Sequence, residues 1–278
     1  MEAVHVAHAV AVQDGAVVAS GGDSGLVCYF RSSAKPLQAL PVARARNDLD
    51  DRDLAIASSS HLARDDQLEA VLALLAKAPA SEDDLECGSE DGSRLRHNCS
   101  GKHAGMLALC RARGWPTRGY RLPDHPLQLA MLAEVAAAAQ VDPRGLQTAV
   151  DGCGVVTYGL TIERMAHAFS RLERIEGGGR VAAAMRAHPE LVCGPGEPDT
   201  VVMERLPGWT AKGGAEGLVC ACSPDGIGLA LKVADGAGRA IAPALSAFLA
   251  VLGHPVEELR RVPVENSRGE PVGEIVSA

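Results

Sequence analysis

Ser32 and Lys35 stand three positions apart in Arg31-Ser32-Ser33-Ala34-Lys35-Pro36-Leu37-Gln38, just after the apolar run Leu26-Val27-Cys28-Tyr29-Phe30. On the first turn of a helix, positions i and i+3 share a face, so the amine can reach the hydroxyl without any long-range contact. A free lysine titrates near ~10.4 and is no base at neutral pH, but burial beside another cation neutralises it. It can then take the serine proton, the logic of serine acyl enzymes that use lysine in place of histidine. The four-residue pattern is short and equally fits a plain helix start.

Two further pieces come later in the chain: Ser60, closing Leu54-Ala55-Ile56-Ala57-Ser58-Ser59-Ser60-His61, and Lys212-Gly213-Gly214 on a late apolar segment. Penicillin-recognising enzymes set S-x-x-K, S-D-N and K-T-G around one acyl-transfer site, and the three pieces keep that order loosely. Ser58 and Ser59 read instead as helix-capping hydroxyls, and a solvated strand lysine is the plain alternative for Lys212. His97-Asn98-Cys99-Ser100-Gly101-Lys102-His103 is the densest cluster of reactive side chains. With Cys153 of Asp151-Gly152-Cys153-Gly154 it offers enough donors for a catalytic zinc with one open position. On residue type alone, His97, Cys99, His103 and Cys153 are the candidate ligands, with buried thiols and an Asn-Ser cap as the alternative. Cys28, Cys87, Cys110, Cys193, Cys220 and Cys222 lack such surroundings and read as filler.

These groups need a frame. Alternating residues from Val4 to Val18 around Gln13-Asp14-Gly15 predict an N-terminal hairpin, and Leu26 to Phe30 a third strand running into a helix that starts near Ser32. Asp65 is expected to cap a periodic helix, residues 79 to 94 to form an acidic loop, and Ala104 to Arg113 a helix after the H-N-C-S-G-K-H segment. Further helices are expected over 124 to 140 and 161 to 188. Strands are expected around 209 to 217, 218 to 223 and 227 to 233, with a last helix over Arg239 to Leu252. Sheet, then helices, then sheet predicts an α+β fold with an antiparallel sheet built by both chain ends, about 1–60 and 195–278, and a helical part over about 61–194.

The 278 residues suffice for a large core, and 47% hydrophobic content with only 3% aromatics means that small aliphatic side chains must pack it. With 27 basic against 35 acidic residues, the net charge of −8 gives no footprint for nucleic acid or an anionic membrane and favours a small-molecule partner. No apolar run approaches the ~18 residues of a membrane span, and Met1-Glu2-Ala3-Val4-His5 lacks a signal-peptide pattern, so a cytoplasmic protein with reduced thiols is expected.

Taken together, R-S-S-A-K-P-L-Q-A-L-P, A-S-S-S-H, H-N-C-S-G-K-H-A-G-M, D-G-C-G-V and A-K-G-G-A-E-G resemble the rhizobial-type L-asparaginase II family, over nearly the whole chain. The resemblance implies a fold similar to serine β-lactamases and glutaminases, a homodimer, and hydrolysis of L-asparagine to aspartate and ammonia. It implies two Ser-Lys tandems in one pocket, Ser32 with Lys35 and Ser60 with Lys212. It replaces the four-residue ligand set by a Zn2+ held by Cys99, Lys102 and Cys153, with Asp151 alongside. Arg31, His61, Asp151 and Gly213 are the substrate-binding candidates. After the S-H pair, however, the family continues with Gly, Glu and a later His, where this chain has Ala63, Arg64 and Gln67. Val156 replaces a Pro, and Gly196-Glu197-Pro198 replaces a Gly-rich approach with Arg and Phe before Asp199. These departures leave open a related amidase, a glutaminase, a β-lactam-type hydrolase, or a zinc-holding binder without turnover.

Overall fold

Small and apolar residues alternate on both sides of Asp14-Gly15, whose φ angles of 49° and 84° suit a tight turn, and the N-terminus folds into strands β1 (Ala7–Gln13) and β2 (Ala16–Gly21). The computed structural model describes residues 1–278. After β3 (Val27–Tyr29), a 3-10 turn over Arg31–Ala34 runs straight into α1 (Lys35–Gln38), and Pro36 is accepted in that first turn because its missing N–H would be unpaired there anyway. The helices α2 (Leu40–Ala45), α3 (Asp51–Ala57), α4 (Asp65–Lys77), α5 (Ser100–Arg113) and α6 (Pro126–Ala139) come next.

The middle of the chain is not wholly helical, because β4 (Gln147–Val150) and β5 (Val156–Thr161) interrupt it. They form a small antiparallel sheet with β3, in the order β3-β5-β4. The third strand expected from the sequence therefore pairs with a mid-chain partner and not with the N-terminal hairpin. Helices α7 (Ile162–Ser170), α8 (Gly178–Ala187), α9 (Pro189–Val192) and α10 (Pro198–Arg205) lead to β6 (Thr210–Gly214), β7 (Leu218–Cys222) and β8 (Gly228–Val233).

The main sheet has the antiparallel order β2-β1-β8-β7-β6, so both chain ends build it, in an α+β fold. β8 is buried along its whole length, and α7 packs on it so closely that a Cβ at Gly228 would lie 1.9 Å from the Ala166 carbonyl oxygen. The chain ends with α11 (Ile241–Val251) and a separate hairpin of β9 (Arg261–Glu265) and β10 (Pro271–Val276). No helix is long and apolar enough to cross a membrane.

One helix crossing joins two of the reactive segments. A Cβ at Gly101 would sit 2.2 Å from the Ile56 carbonyl oxygen, and one at Gly105 2.9 Å from the Ala57 Cβ. These two glycines, one turn apart on α5, let it lie directly on the end of α3. The end of α3 leads into Ser58-Ser59-Ser60, so the segment bearing Cys99 and Lys102 is locked to the segment bearing Ser60.

Candidate active site

Arg31 enters the 3-10 turn at φ 47°, a backbone region disfavoured for a side chain of its size. The strain is held on both sides: Phe30 N–H donates to Tyr158 O (2.8 Å), and Arg31 N–H to Thr157 Oγ1 (3.0 Å). Ser32 comes next, half-buried, and Lys35 one turn later is entirely buried. The Ser33 hydroxyl donates to Lys212 O (2.9 Å), and a Cβ at Gly214 would lie 2.8 Å from that hydroxyl. Glycine in Lys212-Gly213-Gly214 thus allows β6 to lie against the serine-lysine turn.

A cavity of 490 Å³ opens here, and Ser32, Ser60, His61, Lys212 and Gly213 lie on its wall. Lys35 reaches it from beneath. Its Nζ donates to Ser60 Oγ (2.9 Å) and to the Ser59 carbonyl oxygen. The lysine of the S-x-x-K pair is therefore hydrogen-bonded to the other serine. Burial, then the nearby Lys212 and Lys102 charges, bring its pKa down to about 8, against an upward pull from the Cys99 and Cys153 thiolates.

Lys212, 1% exposed, is no solvated strand lysine. Its Nζ donates to Gly213 O (2.8 Å) and lies 3.4 Å from Asp199 Oδ2, which also accepts from Gly213 N–H (2.8 Å). No hydrogen bond joins it to Ser60; the two share the cavity. Asp199, buried at the start of α10, had no signal in the sequence: only the folded crossing of α10 and β6 brings it to a lysine 13 positions away.

His61 is buried with both ring nitrogens occupied. Nδ1 accepts from Ala63 N–H (3.1 Å), so Nε2 carries the proton and donates to Ser100 Oγ (2.7 Å), which passes a bond on to Leu95 O (2.8 Å). Burial, then Lys35, keep the ring neutral with a pKa near 4. The buried Gln67 ties the same loop down: its oxygen accepts from Leu62 and Arg64 N–H, and its amide donates to Glu190 O and Cys193 O. Arg64, and not Asp65, is the residue that precedes α4. The Ser58 and Ser59 hydroxyls cap nothing, since both are buried without a partner.

Behind this wall lies a second cluster. Lys102 Nζ donates to Cys153 Sγ (3.0 Å), and Cys99 is buried beside them. A bond from Cys99, opposed by burial and reinforced by Lys102, brings the Cys153 thiol down to about 5. Burial alone would lower Lys102, but Cys153, Cys99 and Asp151 outweigh it and hold the ammonium charged. Asp151 accepts from Arg31 Nε (2.6 Å) and is 4.0 Å from Cys153 Sγ. Burial would raise its pKa, yet Lys102 and Arg31 bring it down. Arg31 is not on the wall of the serine cavity and lines a separate one of 310 Å³ with Lys232 and Gln147.

The set His97, Cys99, His103 and Cys153 is not assembled: no three His, Cys, Asp or Glu side chains come close enough to hold a metal ion. His97 Nδ1 accepts from Cys99 N–H (3.1 Å), and His103 Nδ1 is bonded to the Tyr120 hydroxyl (2.7 Å). The thiols of Cys99 and Cys153 do fit zinc by donor chemistry, and Lys102 Nζ, 3.0 Å from Cys153 Sγ, can be the third donor once it gives up its proton. All eight cysteines are free, and Cys193, read as filler, lies on the cavity wall.

A strained serine turn, a buried amine on a second serine and a second lysine thus meet at one cavity. A model of the L-asparaginase II family matches residues 1–277, and the chain belongs to that family. Among solved structures, a beta-lactamase from Mycobacterium bovis is 17% identical, the match covering 89% of this chain and 95% of that one, with a TM-score of 0.40. No curated protein matches this sequence.

Proposed function

We propose that the protein hydrolyses L-asparagine to aspartate and ammonia at the 490 Å³ cavity. The observation that carries this reading is the buried Lys35 amine, hydrogen-bonded to Ser60 Oγ on the wall that also bears Ser32. Ser32 comes directly after a strained residue, and no protein group holds its hydroxyl. It attacks the side-chain amide carbon while neutral Lys35 takes its proton. Ser60, already bonded to Lys35, passes a proton to the departing nitrogen as the C–N bond breaks. Ammonia leaves an acyl-enzyme, and water then cleaves the ester, releasing aspartate and restoring Ser32. Lys212, held by Asp199, places its Nζ donors at the cavity where negative charge develops on the amide oxygen.

Cys99, Lys102 and Cys153 would hold a zinc ion, which when bound supplies positive charge behind the Arg31-Asp151 pair and fixes the position of that wall. A homodimer belongs to the same reading, and light scattering at about twice the chain mass would support it. Ammonia release from L-asparagine tests the activity. Mass spectrometry of quenched reactions tests the nucleophile: a covalent adduct is expected in the wild type and in Ser60→Ala, and none in Ser32→Ala. An adduct that persists in Ser32→Ala and vanishes in Ser60→Ala would exchange the two roles.

A further inference from the structure

The cavity wall carries three carboxylates, of Glu90, Glu197 and Asp199, against two cations, Arg96 and Lys212. Asp199 is committed to Lys212 and Gly213, and Arg96 lies 3.3 Å from Asp91 outside the cavity. Glu197 differs from both. It is half-buried directly before α10, and its carboxylate makes no hydrogen bond or ion pair with the protein. Burial and the neighbouring Asp199 raise its pKa, against a downward pull from Lys212. The contacts of Lys212 Nζ go to Asp199 Oδ2 and Gly213 O, and none goes to Glu197. The proximity of Glu197 to Lys212 is fixed by the chain itself, since Asp199 is anchored two residues further along.

A half-buried carboxylate without a hydrogen-bond or ion-pair partner, on the wall of a cavity that also bears Ser32 and Ser60, suits a ligand that brings a cation. We infer that Glu197 binds the ammonium group of the substrate, so that the site selects amides with a free amine, as in an unmodified α-amino acid, over those without one. The inference rests on the reading of this cavity as an asparagine site and adds the group that recognises one end of the substrate.

The experiment pairs L-asparagine with succinamate, which keeps the amide and the carboxylate but lacks the amine. Binding is measured by calorimetry and turnover by ammonia release, for the wild type and Glu197→Gln at matched thermal stability. The wild type is expected to bind and turn over asparagine at least about tenfold better than succinamate. Glu197→Gln is expected to weaken asparagine by about 10- to 100-fold, chiefly in Kd and KM, and to leave succinamate within about twofold, as for loss of one charge-assisted hydrogen bond. Equal losses on both ligands would mark Glu197 as structural and overturn the inference, as would a wild type indifferent to the amine or one that binds neither ligand. Glu197-dependent binding of asparagine without ammonia release would sink the hydrolase reading and leave the inference standing.

Discussion

Lys35 and Lys102 are both buried in the same core, yet their surroundings drive them to opposite protonation states. Lys35 meets neutral oxygens, the Ser60 hydroxyl and the Ser59 carbonyl, and nothing nearby repays the full cost of a buried charge. Its amine therefore loses its proton readily, at about 8. Lys102 meets sulfur: Cys153 and Cys99, with Asp151 beyond, compensate its charge and keep the proton on. Burial alone does not make a base. What touches the nitrogen decides whether a buried lysine moves protons or balances charge.

The largest effect is expected at the first of these regions. Lys35→Met removes the base while keeping an unbranched side chain of similar length in the core, and kcat should fall by about 10²–10⁴-fold. The measurement is ammonia release under saturating asparagine. A loss below tenfold would mean that Lys35 is a structural lysine like Lys102, and the contrast would collapse.

The junction between the regions gives the next effect. Gly101→Ala would force a methyl to within 2.2 Å of the Ile56 carbonyl oxygen, so α5 and the end of α3 must part. A loss of about 1–3 kcal/mol or more is expected in chemical denaturation, with a fall in kcat because Ser60 lies just beyond α3. Gly114→Ala, at the end of the same helix, meets no neighbouring atom but carries a φ of 66°, so it reports backbone strain without the clash. Activity should survive there.

The two regions were unequally legible in the sequence. The S-x-x-K turn, the hairpins and the late strands obey local rules of period and turn chemistry, and both chain ends meet in one sheet as expected. The H-N-C-S-G-K-H segment announced reactive groups but not their partners. Residue type favoured histidine ligands, whereas folding turned His97 to a backbone N–H and His103 to Tyr120. Gly101 stood in the reactive H-N-C-S-G-K-H segment and Gly105 in the helix expected after it, and both prove to be contact points between helices. Gly196-Glu197-Pro198 stood out only as a departure and Asp199 carried no role, because what they do depends on where α10 crosses β6. The strand at Leu26 to Phe30 was visible, but its partner β5 was not, since pairing across more than a hundred residues leaves no local trace.

At the sulfur region a smaller and different loss is expected. Cys153→Ser removes the thiolate that bonds Lys102, and with it one of the proposed zinc donors. Lys35 keeps its contacts to Ser60 and Ser59, so KM should rise by about tenfold while kcat stays within about twofold, and treating the wild type with a chelator should have the same effect. Native mass spectrometry should find zinc on the wild type and not on the variant. Loss of kcat with binding preserved would move the sulfur region into the chemical step and erase the division of labour between the two lysines.

The gentlest probe of the contrast is pH. The proposed base works only when Lys35 is neutral, so kcat/KM should rise about tenfold per pH unit below about 8 and level off above it. The groups that set this value are Lys212 and Lys102, which lower it, and Cys99 and Cys153, which raise it. Stability should carry the same signature. The folded pKa lies below the ordinary lysine value of 10.5, so between about 8 and 10.5 the unfolded chain holds more protons at this position than the folded one. The contribution of Lys35 is thus most favourable above 10.5, declines as pH falls towards 8, and is flat below. Denaturation midpoints of the wild type and Lys35→Met at pH 8 and pH 10 read this directly: the wild type should gain on the variant as pH rises. A wild type that loses ground instead would place the proton on Lys35 as firmly as on Lys102, and would leave the cavity without its base.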